Sequence, residues 1–142
     1  MIMTRDIIYT SLTRISDLQS NPFETSMLDH SQWENGDYVA LRITDEGGGA
    51  MLELSNGRIM APLEGENVIG ALGVRHATLE ATGTWELARP EEPMTLLTGA
   101  GLTGKMTSLS SFCPKPITVE YRGHVTRNGT KVKMKDFVPN RV

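Results

Sequence analysis

The chain has 142 residues, 39% hydrophobic and 22% charged, with a formal net charge of −3. That length supports one domain with its own core, and this balance excludes wholesale disorder. A single cysteine excludes an intrachain disulfide and a cysteine-based metal site, and no apolar window reaches the length of a membrane-spanning helix.

In chain order, residues 1–14 set Arg5, Asp6 and Arg14 around short apolar pairs and lack the continuous apolar stretch of a signal peptide, so a cytoplasmic, soluble protein is expected. A first strand is predicted over 6–15. Residues 16–35 are polar and turn-rich around Pro22, and read as a poorly structured connector crossing one face of the domain. Within it Phe23, Met27 and His30 have the spacing of one or two helical turns. After Asn35-Gly36-Asp37 the alternation of a strand begins, with Val39, Leu41 and Ile43 on one face and Tyr38, Ala40 and Arg42 on the other. A loop at Gly47-Gly48-Gly49 precedes a hairpin that turns at Asn56-Gly57. Short strands are then predicted over 68–72, 77–87 (with a bulge or bend at Gly83), 94–98, 106–109 and 117–121. The last of these enters a hairpin turning at Asn128-Gly129, a dipeptide that accepts the positive φ angles of a type I′ turn. Beyond it Lys131, Lys133 and Lys135 alternate with Val132, Met134 and Asp136, as on a strand with one wet face.

Nine or so short runs, with turn signals every 8–12 residues, predict an all-β fold: a small closed or partly open antiparallel β-barrel spanning 1–142 as one domain. Residues 136–142 are expected to lead into a linker.

Charge is unevenly spread. Residues 1–114 have a balance of −8 and residues 115–142 a balance of +5. The basic hairpin, with Arg122, His124, Arg127, Lys131, Lys133 and Lys135, is therefore the first candidate surface for an anionic small molecule or a protein partner. Arg75 and His76 are secondary candidates. The competing reading of the lysines is protection of a sheet edge. Nucleic acid is not expected as a partner, because the chain is acidic overall and has few aromatic residues to act as stacking platforms.

Gly99-Ala100-Gly101-Leu102-Thr103-Gly104-Lys105 fits a dinucleotide-binding glycine pattern and nearly fits a phosphate loop, although Met106 stands where the loop needs Ser or Thr. Gly99, Gly101, Gly104 and Lys105 thus define an alternative nucleotide site, which requires a helix starting near Gly104. Thr103, Thr107 and Ser108 are weak helix formers and Pro114 and Pro116 follow, so the competing reading is a glycine-rich turn between strands. His30, His76 and His124 have no metal-ligand spacing, Cys113 has an apolar flank, and Asp29, Glu34 and Asp37 read as solvated connector carboxylates. No catalytic residue, metal ligand or cofactor is assigned.

Residues 66–80, with Tyr121-Arg122-Gly123-His124-Val125 and Met134-Lys135-Asp136-Phe137-Val138, resemble the N-terminal all-β portion of uncharacterised bacterial proteins that carry a downstream P-loop nucleotide-binding module. The resemblance implies an accessory β domain and transfers no functional residue. The leading expectation is a non-catalytic ligand- or partner-binding or regulatory module. The alternatives are a small nucleotide- or dinucleotide-dependent enzyme using residues 99–107, and a structural oligomerisation module.

Overall fold

β-Branched and aromatic residues in alternation, interrupted by glycine and proline, favour strands too short to stand alone, and their hydrogen bonds are satisfied only by lateral pairing. The computed structural model describes residues 7–76, 81–111 and 113–138. It contains β1 (Ile7–Tyr9), β2 (Glu24–Ser26), β3 (Tyr38–Asp45), β4 (Leu52–Glu53), β5 (Ile59–Met60), β6 (Asn67–Leu72), β7 (Val74–Arg75), β8 (Thr82–Thr84), β9 (Met94–Leu96), β10 (Leu102–Ser108), β11 (Thr118–Arg127) and β12 (Thr130–Lys131). Only single 3-10 turns accompany them among the described residues. The expected strand start at 77–80 and the end of the expected linker at 139–142 lie outside the described residues, as does Phe112.

The fold is all-β. Strands β6, β3, β11, β9 and β10 pair in sequence, and β10 returns to β6, so hydrogen bonds run in a ring through five strands. The sheet is not purely antiparallel as expected: β6 runs parallel to both β1 and β10. β4 and β5 form a separate two-stranded ribbon.

β3 is buried on both faces over residues 38–41, so the molecule has two apolar clusters. Val39, Leu41 and Ile43 join Val68, Leu72, Met94, Leu96, Val119 and Tyr121 in the first. Tyr38 and Ala40, on the opposite face, join Ile69, Ala71, Val125, Val132 and Leu18 in the second. The connector packs on both clusters, with Leu18 and Phe23 against the second and Leu28 and Trp33 against the first, and is more ordered than its polarity predicts. Its β2 pairs with β11 at Ser26↔His124, Thr25↔Val125 and Glu24↔Thr126. Arg127 fastens it by donating to Asp17 (2.7 Å) and to the carbonyls of Pro22 (2.9 Å) and Asn21 (3.2 Å).

The two Asn-Gly turns differ. Asn128 (φ 53°) and Gly129 (φ 78°) both have positive φ, as a type I′ turn requires. At Asn56-Gly57 only Gly57 does (φ 87°), and Asn56 instead accepts the amide of Arg58 through its side chain. The alternating strand predicted beyond Asn128-Gly129 also stops early. β12 ends at Lys131 and Met134–Phe137 is a 3-10 turn, because Asp136 accepts the amide of Lys133 and closes the chain into a cap.

The nucleotide loop is likewise corrected. Residues from Leu102 onward form β10, with no helix to present amides to a phosphate, and Lys105 is exposed on that strand, in register with Thr84. The glycines serve close approach between backbones. A Cβ on Gly99 would collide with the Met51 carbonyl and one on Gly104 with the backbone at Thr84. Gly101, at φ 108°, lies against Thr10, whose hydroxyl donates to Ile69 (2.6 Å).

Candidate functional site

Two places collect the chemically capable side chains. The first is sealed and begins with an irregularity in β11. Tyr121 pairs with Leu41 and Gly123 with the next residue along, Ala40, so one residue of β11 is bulged out, at a glycine with φ 131°. In a regular strand, residues three apart face opposite sides. The bulge resets the alternation and brings Tyr121 and His124 into contact, with Tyr121 Oη 2.6 Å from His124 Nδ1.

Tyr121 Oη accepts the Leu28 amide at 3.0 Å and is hydrogen-bonded to His124 Nδ1. On its other side, His124 Nε2 lies 2.9 Å from Asp37 Oδ2. Asp37, fully buried at the start of β3, also accepts the Glu34 amide (2.8 Å) and Lys131 Nζ (3.1 Å), all on Oδ2. Its Oδ1 has no partner among the described residues. Trp33 closes the lid: it is 3% exposed, donates to the Leu28 carbonyl, and sits 4.8 Å from the Tyr121 ring and 5.6 Å from His124. Burial raises the phenol of Tyr121 above its ordinary range.

The basic hairpin folds onto this network. Lys131 donates to Glu34 (2.7 Å), and Lys133 reaches the same carboxylate oxygen (2.8 Å). The two ammonium groups push the Glu34 carboxyl down to about 2, and Glu34 in turn raises Lys133. Arg122 pairs with Glu120 (2.9 Å), and Arg127 is committed to the connector. The cationic face expected from the lysine alternation is thus largely neutralised from within, because residues 34–37 pack against the hairpin. Lys135 alone of the three lysines is exposed. Asp37, read from sequence as solvated, is instead buried, and with Glu34, which does keep its solvent contact, it organises the network. Their signal is slight: an aspartate directly ahead of the apolar run that begins at Tyr38.

The second place is open. A cleft of about 210 Å³ is walled by Met51, Leu96, Leu97, Leu109, Pro114 and Ile117, and Arg75 and Cys113 also line it. Arg75 belongs equally to a neighbouring cleft of about 580 Å³ with His76, Thr82, Thr84, Thr107 and Ser108. The hydroxyl of Thr82 lies 3.0 Å from that of Thr107 and 2.6 Å from that of Ser108. Arg75 is held by donation to the Leu97 carbonyl at 2.7 Å, and the residue in register with it on β8 is Gly83, which brings no side chain into the space. The structure therefore separates the candidates: Arg75 and His76 meet at this pair of clefts, with Gly99 in the apolar wall, whereas His124, Lys131 and Lys133 belong to the sealed network.

Among the described residues no group of three or more His, Cys, Asp or Glu is placed to hold a metal ion, and no helix is long and apolar enough to cross a membrane. Comparisons with protein-family models, with curated proteins and with solved structures each return no match.

Proposed function

We propose that the chain is a non-catalytic ligand-binding β domain that acts as an accessory to a nucleotide-binding module, with its ligand site in the apolar cleft beside Arg75. The observation that carries this reading is the division of chemistry within the fold. The Tyr121–His124–Asp37 arrangement, which among the described residues has the geometry of acid–base machinery, is sealed beneath Trp33, where a substrate cannot reach it. The open concavity is instead apolar with few polar groups, which suits binding. The accessory role is supported by the likeness of residues 66–80, 121–125 and 134–138 to the β portion of proteins with a P-loop module.

Methyl-labelled protein titrated with hexanol tests the cleft. Saturable shifts of Met51, Leu97 and Leu109, with Leu12 and Leu18 unmoved, are expected. No saturable shift, or equal shifts at both clusters, would overturn the reading. In a longer protein carrying the P-loop module, cleft occupancy is expected to alter nucleotide turnover, and an unchanged rate would remove the regulatory half.

A further inference from the structure

Resting on the ligand-binding reading above, we infer that the apolar cleft takes a small uncharged molecule with one carbonyl-type acceptor, and that the Thr98 hydroxyl is the donor that selects it. Leu96, Leu97, Pro116 and Ile117 are buried in the lining, and Met51 is 45% exposed. Among the described residues no carboxylate and no lysine lines this space, so a cation entering it would lose water without gaining a partner. Arg75 is engaged within the fold, with the Leu97 carbonyl among its partners. Recognition of a ligand therefore falls to a neutral group. A cavity of about 150 Å³ takes up a benzene molecule, so a cleft of about 210 Å³ has room for one ring with a short substituent.

Thr98 supplies that group. It follows Leu97 in the lining and is half-buried, in the turn that joins β9 to β10. Its carbonyl accepts the Gly101 amide at 3.2 Å, and its Oγ1 accepts the Leu102 amide at 3.4 Å. Both bonds use oxygen lone pairs. A hydroxyl also has one proton to donate, and among the described residues that proton has no acceptor. β-Branching restricts the rotamers of the threonine, so the hydroxyl is held ready for a ligand at little cost in entropy. A ligand carbonyl takes the proton without disturbing either bond, whereas a ligand donor must share the oxygen that already serves Leu102. Cys113, the other neutral polar side chain in the lining, is engaged elsewhere in the fold, and a thiol is a weak donor.

The test titrates the full chain with acetophenone and with α-methylstyrene, in which a CH₂ group replaces the carbonyl oxygen, following the methyl signals of Met51, Leu97 and Leu109. Thr98→Val and Thr98→Ser are titrated alongside, so that the unequal hydrophobicity of the two probes cancels in the ratio of their affinities. Thr98→Val is expected to weaken acetophenone about fivefold, the worth of one hydrogen bond, and to leave α-methylstyrene unchanged. Thr98→Ser, which keeps the hydroxyl, is expected to retain the ratio of the unaltered chain. Benzoate and benzylamine are expected to bind more weakly than acetophenone. An unchanged ratio in Thr98→Val would overturn the role of Thr98 and leave the cleft reading standing, and tighter binding of benzoate or benzylamine would overturn the uncharged class. Failure of every probe, hexanol included, would overturn the cleft reading itself. Should Thr98→Val fold poorly, the infrared carbonyl frequency of acetophenone bound to the unaltered chain decides: it is expected below the value in hexane, and a value equal to that in hexane would overturn the hydrogen bond.

Discussion

The Asp37–His124–Tyr121 network and the Arg75 clefts are built from the same kinds of side chain yet differ in what surrounds them. In the first, Asp37 and His124 are fully buried, and three nitrogens converge on one carboxylate oxygen. In the second, one guanidinium is oriented by a backbone carbonyl beside open apolar and hydroxyl-lined space. Buried charge is tolerated only when paired, and once paired it is spent on holding elements together. Here it ties residues 28–37 to β11 and β12. The lesson is that polar chemistry marks a binding site only where solvent, and therefore a ligand, can reach it.

This contrast can be broken most sharply at Asp37. Asp37→Ala leaves His124 Nε2 and the Glu34 amide unpaired and removes a buried partner of Lys131, so a loss of about 3–5 kcal/mol is expected. Urea denaturation measures it, and a loss below about 1 kcal/mol would mean that the network does not hold the fold. Tyr121→Phe removes the acceptor of the Leu28 amide and the hydroxyl hydrogen-bonded to His124. It is expected to cost about 1–3 kcal/mol while hexanol binding in the cleft, which Tyr121 does not line, stays within twofold. Met51→Ala should do the reverse. Met51 is 45% exposed, so stability is expected to change by no more than about 0.5 kcal/mol while cleft affinity falls. Stability and affinity falling together in all three variants would dissolve the distinction.

The pH dependence sharpens the same contrast. Burial pushes Tyr38 up to about 12, and its hydroxyl donates to the Leu12 carbonyl at 2.6 Å. The folded state holds this proton where the unfolded state releases it. The contribution is therefore complete below about pH 10, the ordinary phenol value, and is lost as pH rises towards about 12. Burial of Tyr121 and Tyr9 acts in the same direction. Tyr38→Phe is expected to flatten the alkaline fall of the urea midpoint. The smallest effect is expected at Glu34, whose carboxyl is lowered from 4.5 to about 2 by Lys131 and Lys133. Its contribution is present above pH 4.5 and lost as pH falls towards 2, and it is modest because Glu34 is half exposed and salt screens it. Glu34→Gln should flatten only the acid limb, and an altered alkaline limb would contradict the assignment.

Much of this architecture was legible in the chain. The alternation of Val39, Leu41 and Ile43 marks β3, positive φ at Asn128-Gly129 marks the final turn, and the weak helix formers after Gly104 mark a strand. These are local properties: side-chain branching, backbone sterics and period-two burial act over a few residues and need no partner. What tertiary structure alone decided is which faces meet. Asp37 and His124 are 87 residues apart and Tyr121 and His124 share a side only because β11 bulges at Gly123. Lysines that alternate like an exposed edge are turned inward by Glu34, on a segment that local composition marks as solvated. Arg75 borders a cleft because β7, β8, β9 and β10 converge there. Periodicity reports which residues seek burial, whereas pairing between distant strands determines what they are buried against and what is left open to a ligand.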